Sequence, residues 1–140
     1  MIFEELTVKL VYENTLIEGK LYLCEVAPDN IEQVLVEVCF DNQKISKMDN
    51  NFFEALQALR EEFENRNIQI ICNGAAKNVY PSPMQMTMGS GRTAYLLKLG
   101  QQAKSADIVD IFDCIDTLTF VSVKEQKIFY SDWIKSLTKQ

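Results

Sequence analysis

From Leu6 to Tyr12 apolar and polar side chains alternate, LTVKLVY, the period of two that a strand shows when one of its faces is buried. Glu13-Asn14 interrupts the run as a turn would. Leu21–Val26 (LYLCEV) repeats the strand signal as far as Pro28-Asp29-Asn30, and Val34–Phe40 (VLVEVCF) gives a third run closed by Asp41-Asn42. Such short polar connections favour an antiparallel meander, because parallel neighbours would need a crossover.

The period then changes. Between Asn51 and Glu64, the residues Phe52, Leu56, Leu59 and Phe63 recur at helical intervals on one face, with Asn51 and Glu54 in the positions of a capping box and Asn65 to Asn67 as the stop. Ile68–Cys72 follows as a short apolar strand, so the helix is expected to pack across the sheet that this run joins. Further on, Ala94–Leu99 reads as a strand closed by Gly100. Ser105–Phe112 reads as a short helix with Ser105 as its cap and Asp107 in its first turn. Leu118–Val123 reads as a last strand, and Glu125–Leu137 has a helical rhythm. These elements predict a single two-layer α+β domain over residues 1–140, with a mostly antiparallel sheet of about six strands and about three helices.

Composition narrows the class. A chain of 140 residues that is 47% hydrophobic has the size of one globular domain. No apolar run approaches the roughly 18 to 20 residues that span a bilayer, and Glu4 and Glu5 stand where a secretory signal would be basic. A cytoplasmic protein with no membrane association is expected. Histidine is absent, which removes the usual general base, the usual partner of a serine or cysteine nucleophile, and the commonest zinc ligand. Cys24, Cys39, Cys72 and Cys114 match neither a redox pair nor a zinc knuckle and read as buried small hydrophobes. No catalytic residue, metal ligand or cofactor is assigned.

Charge is unevenly placed. Residues 1–70 hold 14 acids and 6 bases, whereas residues 71–140 hold 6 acids and 8 bases. The acidic first half argues against nucleic acid and permits a basic protein partner.

Candidate chemistry concentrates in residues 73–92, NGAAKNVYPSPMQMTMGSGR, with three of the five glycines and two of the three prolines. The sequence predicts a long, stiffened loop here. Met84, Met86 and Met88, at every second position, would lie on one side of an extended segment as an adaptable contact surface. Gly89-Ser-Gly-Arg92 invites an anion-binding reading, but it runs into a strand rather than a helix. Asp107, Asp110, Asp113 and Asp116 recur every three residues, as on the wet face of a helix, without the EF-hand pattern. Cys72 at a strand end could be a nucleophile only if Lys77, Arg92 or a helix dipole activated it.

The run Asn73-Gly-Ala, Val79-Tyr-Pro-Ser, Met88-Gly-Ser-Gly, Ala94–Gly100 and Asp107–Phe112 resembles a segment of small uncharacterised bacterial proteins. In size and acidity the chain is similar in general character to immunity proteins of polymorphic-toxin systems, which bind and neutralise a toxin domain. The sequence thus points to a non-enzymatic binding protein whose partner is a basic protein such as a toxin domain. Its expected contact residues are Asn73, Lys77, Tyr80, Met84, Met86, Met88 and Arg92, together with acids of the first half. The competing reading is a small-molecule or anion-binding protein or enzyme with its site at the 73–92 loop, and a homodimer covering that loop is a third.

Overall fold

Two dipeptides in the left-handed region build the first half of the fold. Glu13 (φ 52°) and Asn14 (φ 62°) turn β1 (Glu4–Tyr12) into β2 (Thr15–Cys24), and Asp41 (φ 46°) and Asn42 (φ 58°) turn β3 (Val34–Phe40) into β4 (Gln43–Asp49). Positive φ at both central residues is the two-residue hairpin geometry whose twist matches that of the flanking strands. The computed structural model describes residues 3–138. The expected meander is present and longer than the hydrophobic pattern suggested. β2 begins at Thr15 rather than Leu21, and β4 was not signalled at all. Of the β4 residues only Ile45 is buried, as befits a lysine-bearing edge strand.

α1 (Phe52–Asn65) starts as the sequence predicts, with the Asn51 side-chain oxygen accepting from the Glu54 amide at 2.9 Å. Its predicted face, Phe52, Leu56, Leu59 and Phe63, is buried throughout. Burial of each such side chain contributes about 1.5–3 kcal/mol. The helix carries the chain across one face of the sheet to β5 (Ile68–Ile71), which pairs with β1. The antiparallel order is β4-β3-β2-β1-β5.

The second half departs from the prediction in three places. Residues 73–92 are not an irregular loop. They hold a 3-10 turn at Asn73–Ala75, the short strand β6 (Val79–Tyr80) and a one-and-a-half-turn helix, α2 (Pro83–Met88). Ser82 and Gln85 close a reciprocal capping box on α2, at 3.1 and 2.8 Å, with Pro83 in the first turn where its missing N–H costs nothing. Residues 105–112 are not a helix. A 3-10 turn at Ser105–Asp107 leads into β8 (Ile108–Asp110), which pairs with β7 (Thr93–Leu96). The β-branched Ile108, Val109 and Ile111 outweigh the cap signal at Ser105. Leu118–Val123 is not a strand: it makes one isolated bridge, Phe120 to Ala76, and Val123 already belongs to the helix that follows.

The small sheet has the order β6-β7-β8, so the described residues form an α+β fold with eight strands in two antiparallel sheets and three helices. α3 (Val123–Leu137) completes it, capped by Ser122 and Glu125. Both halves feed one core, in which Val79, Ala94 and Ile111 pack with the inner face of the large sheet and α1. Gly74 fits where little else would: a Cβ there would stand 2.5 Å from Leu56 Cδ2 and 3.0 Å from Ile111 Cβ. Among the described residues no helix is long and apolar enough to cross a membrane.

Candidate functional site

α3 is placed by polar groups rather than by an apolar face; of its residues, only Val123 and Gln126 are buried. Arg60, on the buried side of α1 and 1% exposed, donates to the Gly74 carbonyl (3.1 Å), the Val121 carbonyl (2.8 Å) and Gln126 Oε1 (2.6 Å). Gln126 Nε2 in turn lies 2.9 Å from the carbonyls of Gly74, Ala76 and Val79. This knot ties α1, the 74–79 segment and α3 together. Beside it Tyr130 stacks on Tyr80 (centroids 3.9 Å, planes 10° apart), and Trp133 stacks on Tyr130.

The arrangement leaves a groove of about 420 Å³ along α1, walled by Asp49, Glu54 and Glu61 on one side and by Tyr80, Met86 and Lys127 on the other. A second hollow of about 480 Å³ between α1 and α3 adjoins it, sharing Glu61 and Lys127 and adding Glu64 and Ile128. Glu62 on α1 is engaged by Lys47 (2.7 Å) and Arg66 (2.8 Å), and Glu64 accepts from the Val123 amide. Among the described residues Asp49, Glu54 and Glu61 have no ion-pair partner. Gln57 Nε2, also in this wall, is shielded from solvent without an acceptor.

Of the contact residues read from the sequence, the groove gathers Tyr80 and Met86. The one-sided methionine stripe is overturned by α2. Steps of two residues turn a helix by about 200°, so Met86 packs inward while Met84 (69% exposed) and Met88 (83%) face away. Asn73 is buried and structural: its amide reaches the Asp113 carbonyl (2.7 Å), its Oδ1 accepts from the Ile115 amide (2.8 Å) and its Nδ2 donates to the Asp110 carbonyl (3.0 Å). Lys77 is exposed, its ammonium 5.9 Å from the centre of the Phe129 ring. Phe53, Gln57 and Lys127 went unnoticed in the sequence. Gln57 and Glu61, four apart on the polar flank of α1, were the available signal; Lys127 offered none.

Arg92 lies outside the groove. It grips both oxygens of Glu4 and donates through Nε to Asp110 at 3.1 Å, while its guanidinium sits 5.8 Å from the centre of the Phe112 ring. The positive charge of the glycine turn is therefore already answered. The aspartate series is dispersed over a 3-10 turn, β8 and the turns after it. Among the described residues no group of three or more cysteine, aspartate or glutamate side chains is arranged to hold a metal ion. Burial pushes the Cys72 thiol up to about 12 against the pull of nearby Arg60, which is the reverse of an activated nucleophile. Cys24 is buried as expected, whereas Cys39 is half-buried and Cys114 is exposed.

No protein-family model matches the chain, and none of the curated proteins compared with it is significantly similar.

Proposed function

We propose that this chain is a non-enzymatic binding protein that receives a basic segment of a protein partner in the groove along α1. The observation that carries the reading is the juxtaposition of Asp49, Glu54 and Glu61, carboxylates without ion-pair partners among the described residues, with the apolar bodies of Tyr80 and Met86. Carboxylates of one sign steer a cationic surface and fix its register, while an aromatic ring and a thioether cover the stem of an inserted lysine or arginine. Met84 and Met88, exposed on α2 next to the groove residue Met86, extend the surface with side chains that repack readily. A toxin domain held by an immunity-like protein is a partner of this chemistry. Four free cysteines suit a reducing cytoplasm as the place of action.

The reading is tested by using wild type and the Glu54→Lys/Glu61→Lys double variant as baits, then measuring the purified complex. A basic protein should be retained by the wild type, be released as salt rises, and bind the variant at least about tenfold more weakly. Equal affinity for both baits, or turnover of a small molecule with no protein retained, would remove the reading. Retention of a second copy of the chain would replace it with a homodimer.

A further inference from the structure

Away from this groove, and sharing none of its lining residues, a cleft of about 630 Å³ opens between the start of β1, the end of β2 and the 25–33 connection. Its floor is apolar and buried: Leu23, Cys24, Ala27 and Phe52 are each at most 3% exposed. Its rim is also apolar, with Val26 and Ile31 left open to solvent, Ile31 at 82%. The connection is shaped by its own bonds, Ala27 N–H to the Gln33 carbonyl at 2.8 Å and Cys24 Sγ–H to the Val26 carbonyl at 2.8 Å. A floor of buried side chains under an open apolar rim is the form of a small-molecule site.

The polar groups decide what it takes. Glu4 and Glu25 line the cleft, and the one cation lining it among the described residues, Arg92, is already committed to Glu4 and Asp110. An entering anion would have to pull Arg92 away and leave Glu4 unpaired beside it. Three of the amino-terminal amides of α1 are already engaged: Phe52 N–H is bonded to the Ser90 carbonyl, Glu54 N–H to Asn51 Oδ1 and Ala55 N–H to the Asn51 carbonyl. A cation meets surplus carboxylate without breaking anything. We propose that this cleft binds an organic cation with an apolar body, a protonated amine or guanidine carried on an aromatic or branched aliphatic group, either free or as a basic side chain of a peptide. The hydrogen bonds from Arg92 hold the Glu4 carboxyl below the usual carboxylate range, so the pair remains ionised when the cation arrives.

Amide NMR titration of the full chain tests this with phenethylamine, phenylacetate, benzyl alcohol and a capped tripeptide carrying arginine between two phenylalanines. The amine should shift the amides of residues 23–31 saturably, and the acid should bind at least about tenfold more weakly. Tighter binding of the tripeptide than of the amine would assign the site to a protein side chain; the opposite order would assign it to a free amine. Glu25→Gln, which leaves the Glu4–Arg92 pair intact, and Ile31→Ser should each weaken the amine several-fold with the rest of the spectrum unchanged. Phenylacetate binding as well as the amine, unaltered affinity in both variants, or no saturable shift from either cation would overturn the proposal.

Discussion

Removing the Arg60 side chain would strand two acceptors at once, the Val121 carbonyl and Gln126 Oε1, and leave the Gly74 carbonyl with Gln126 Nε2 as its remaining side-chain donor. Burial pulls the guanidinium's pKa down, yet an arginine starts so high that it stays charged, its hydrogen bonds made here to neutral oxygens. Arg60→Ala should therefore cost about 3–5 kcal/mol in urea denaturation, and Gln126→Leu about 1–3 kcal/mol. Because the two side chains share a 2.6 Å bond and the Gly74 carbonyl, the double variant should lose clearly less than the sum. Simple additivity would show that they act separately. Glu4 is a second residue whose role can be read out. Its carboxyl is kept below the ordinary range by the Arg92 hydrogen bonds, so the stabilisation is complete above that range and disappears as pH falls through the lowered folded-state value. Thermal unfolding of wild type and Glu4→Gln should differ slightly at neutral pH and converge in acid; the pair is solvent-exposed, which keeps the difference small.

At the scale of elements, α3 is the least conventionally attached. Its inward side offers Gln126, Tyr130 and Trp133 where an amphipathic helix would offer leucines, and Trp133 is further tied by its indole N–H to the Gln101 carbonyl at 2.9 Å. Tyr130→Ala should release this helix locally. Amide exchange across residues 123–137 should then quicken while β1, β2 and α1 keep their protection, and uniform loss throughout the chain would contradict the idea. How legible each element was depended on how much apolar periodicity it carried. β1, β3, α1 and β5 wear their buried faces openly. β4 is an edge strand with one buried side chain, so its pattern is too polar to notice. α2 is hidden by two prolines and by methionines whose alternate spacing fits a strand; its one local signal is the Ser82–Gln85 box. β8 lost to a helix reading because three residues is too short a window to distinguish the two periods. The site was half legible. Charge asymmetry and the 73–92 segment marked its two walls, but their meeting across Tyr80 and Lys127 depends on how α3 docks, which no local pattern encodes.

On the scale of the whole molecule, the acidic first half and the slightly basic second half do not segregate into two lobes. The large sheet and α1 come from the former, α3 and the small sheet from the latter, and they share one core. The acids of α1 therefore face lysines of α3 across a narrow trough, with Glu61 and Lys127 bordering both hollows. A basic visitor must satisfy the carboxylates while tolerating Lys127, which favours a partner with a defined arrangement of charges over any polycation.

The Arg60 knot also fixes an order of events on the ribosome. The hairpins from β1 to β4 rest on near neighbours and can form as they emerge, but the guanidinium that α1 buries finds Val121 and Gln126 only 61 and 66 residues later. Until α3 is synthesised, the guanidinium has the Gly74 carbonyl but neither the Val121 carbonyl nor Gln126. Docking of α3 should thus come late in folding, and truncation before Val121 should leave the buried guanidinium with one of its three acceptors, the Gly74 carbonyl.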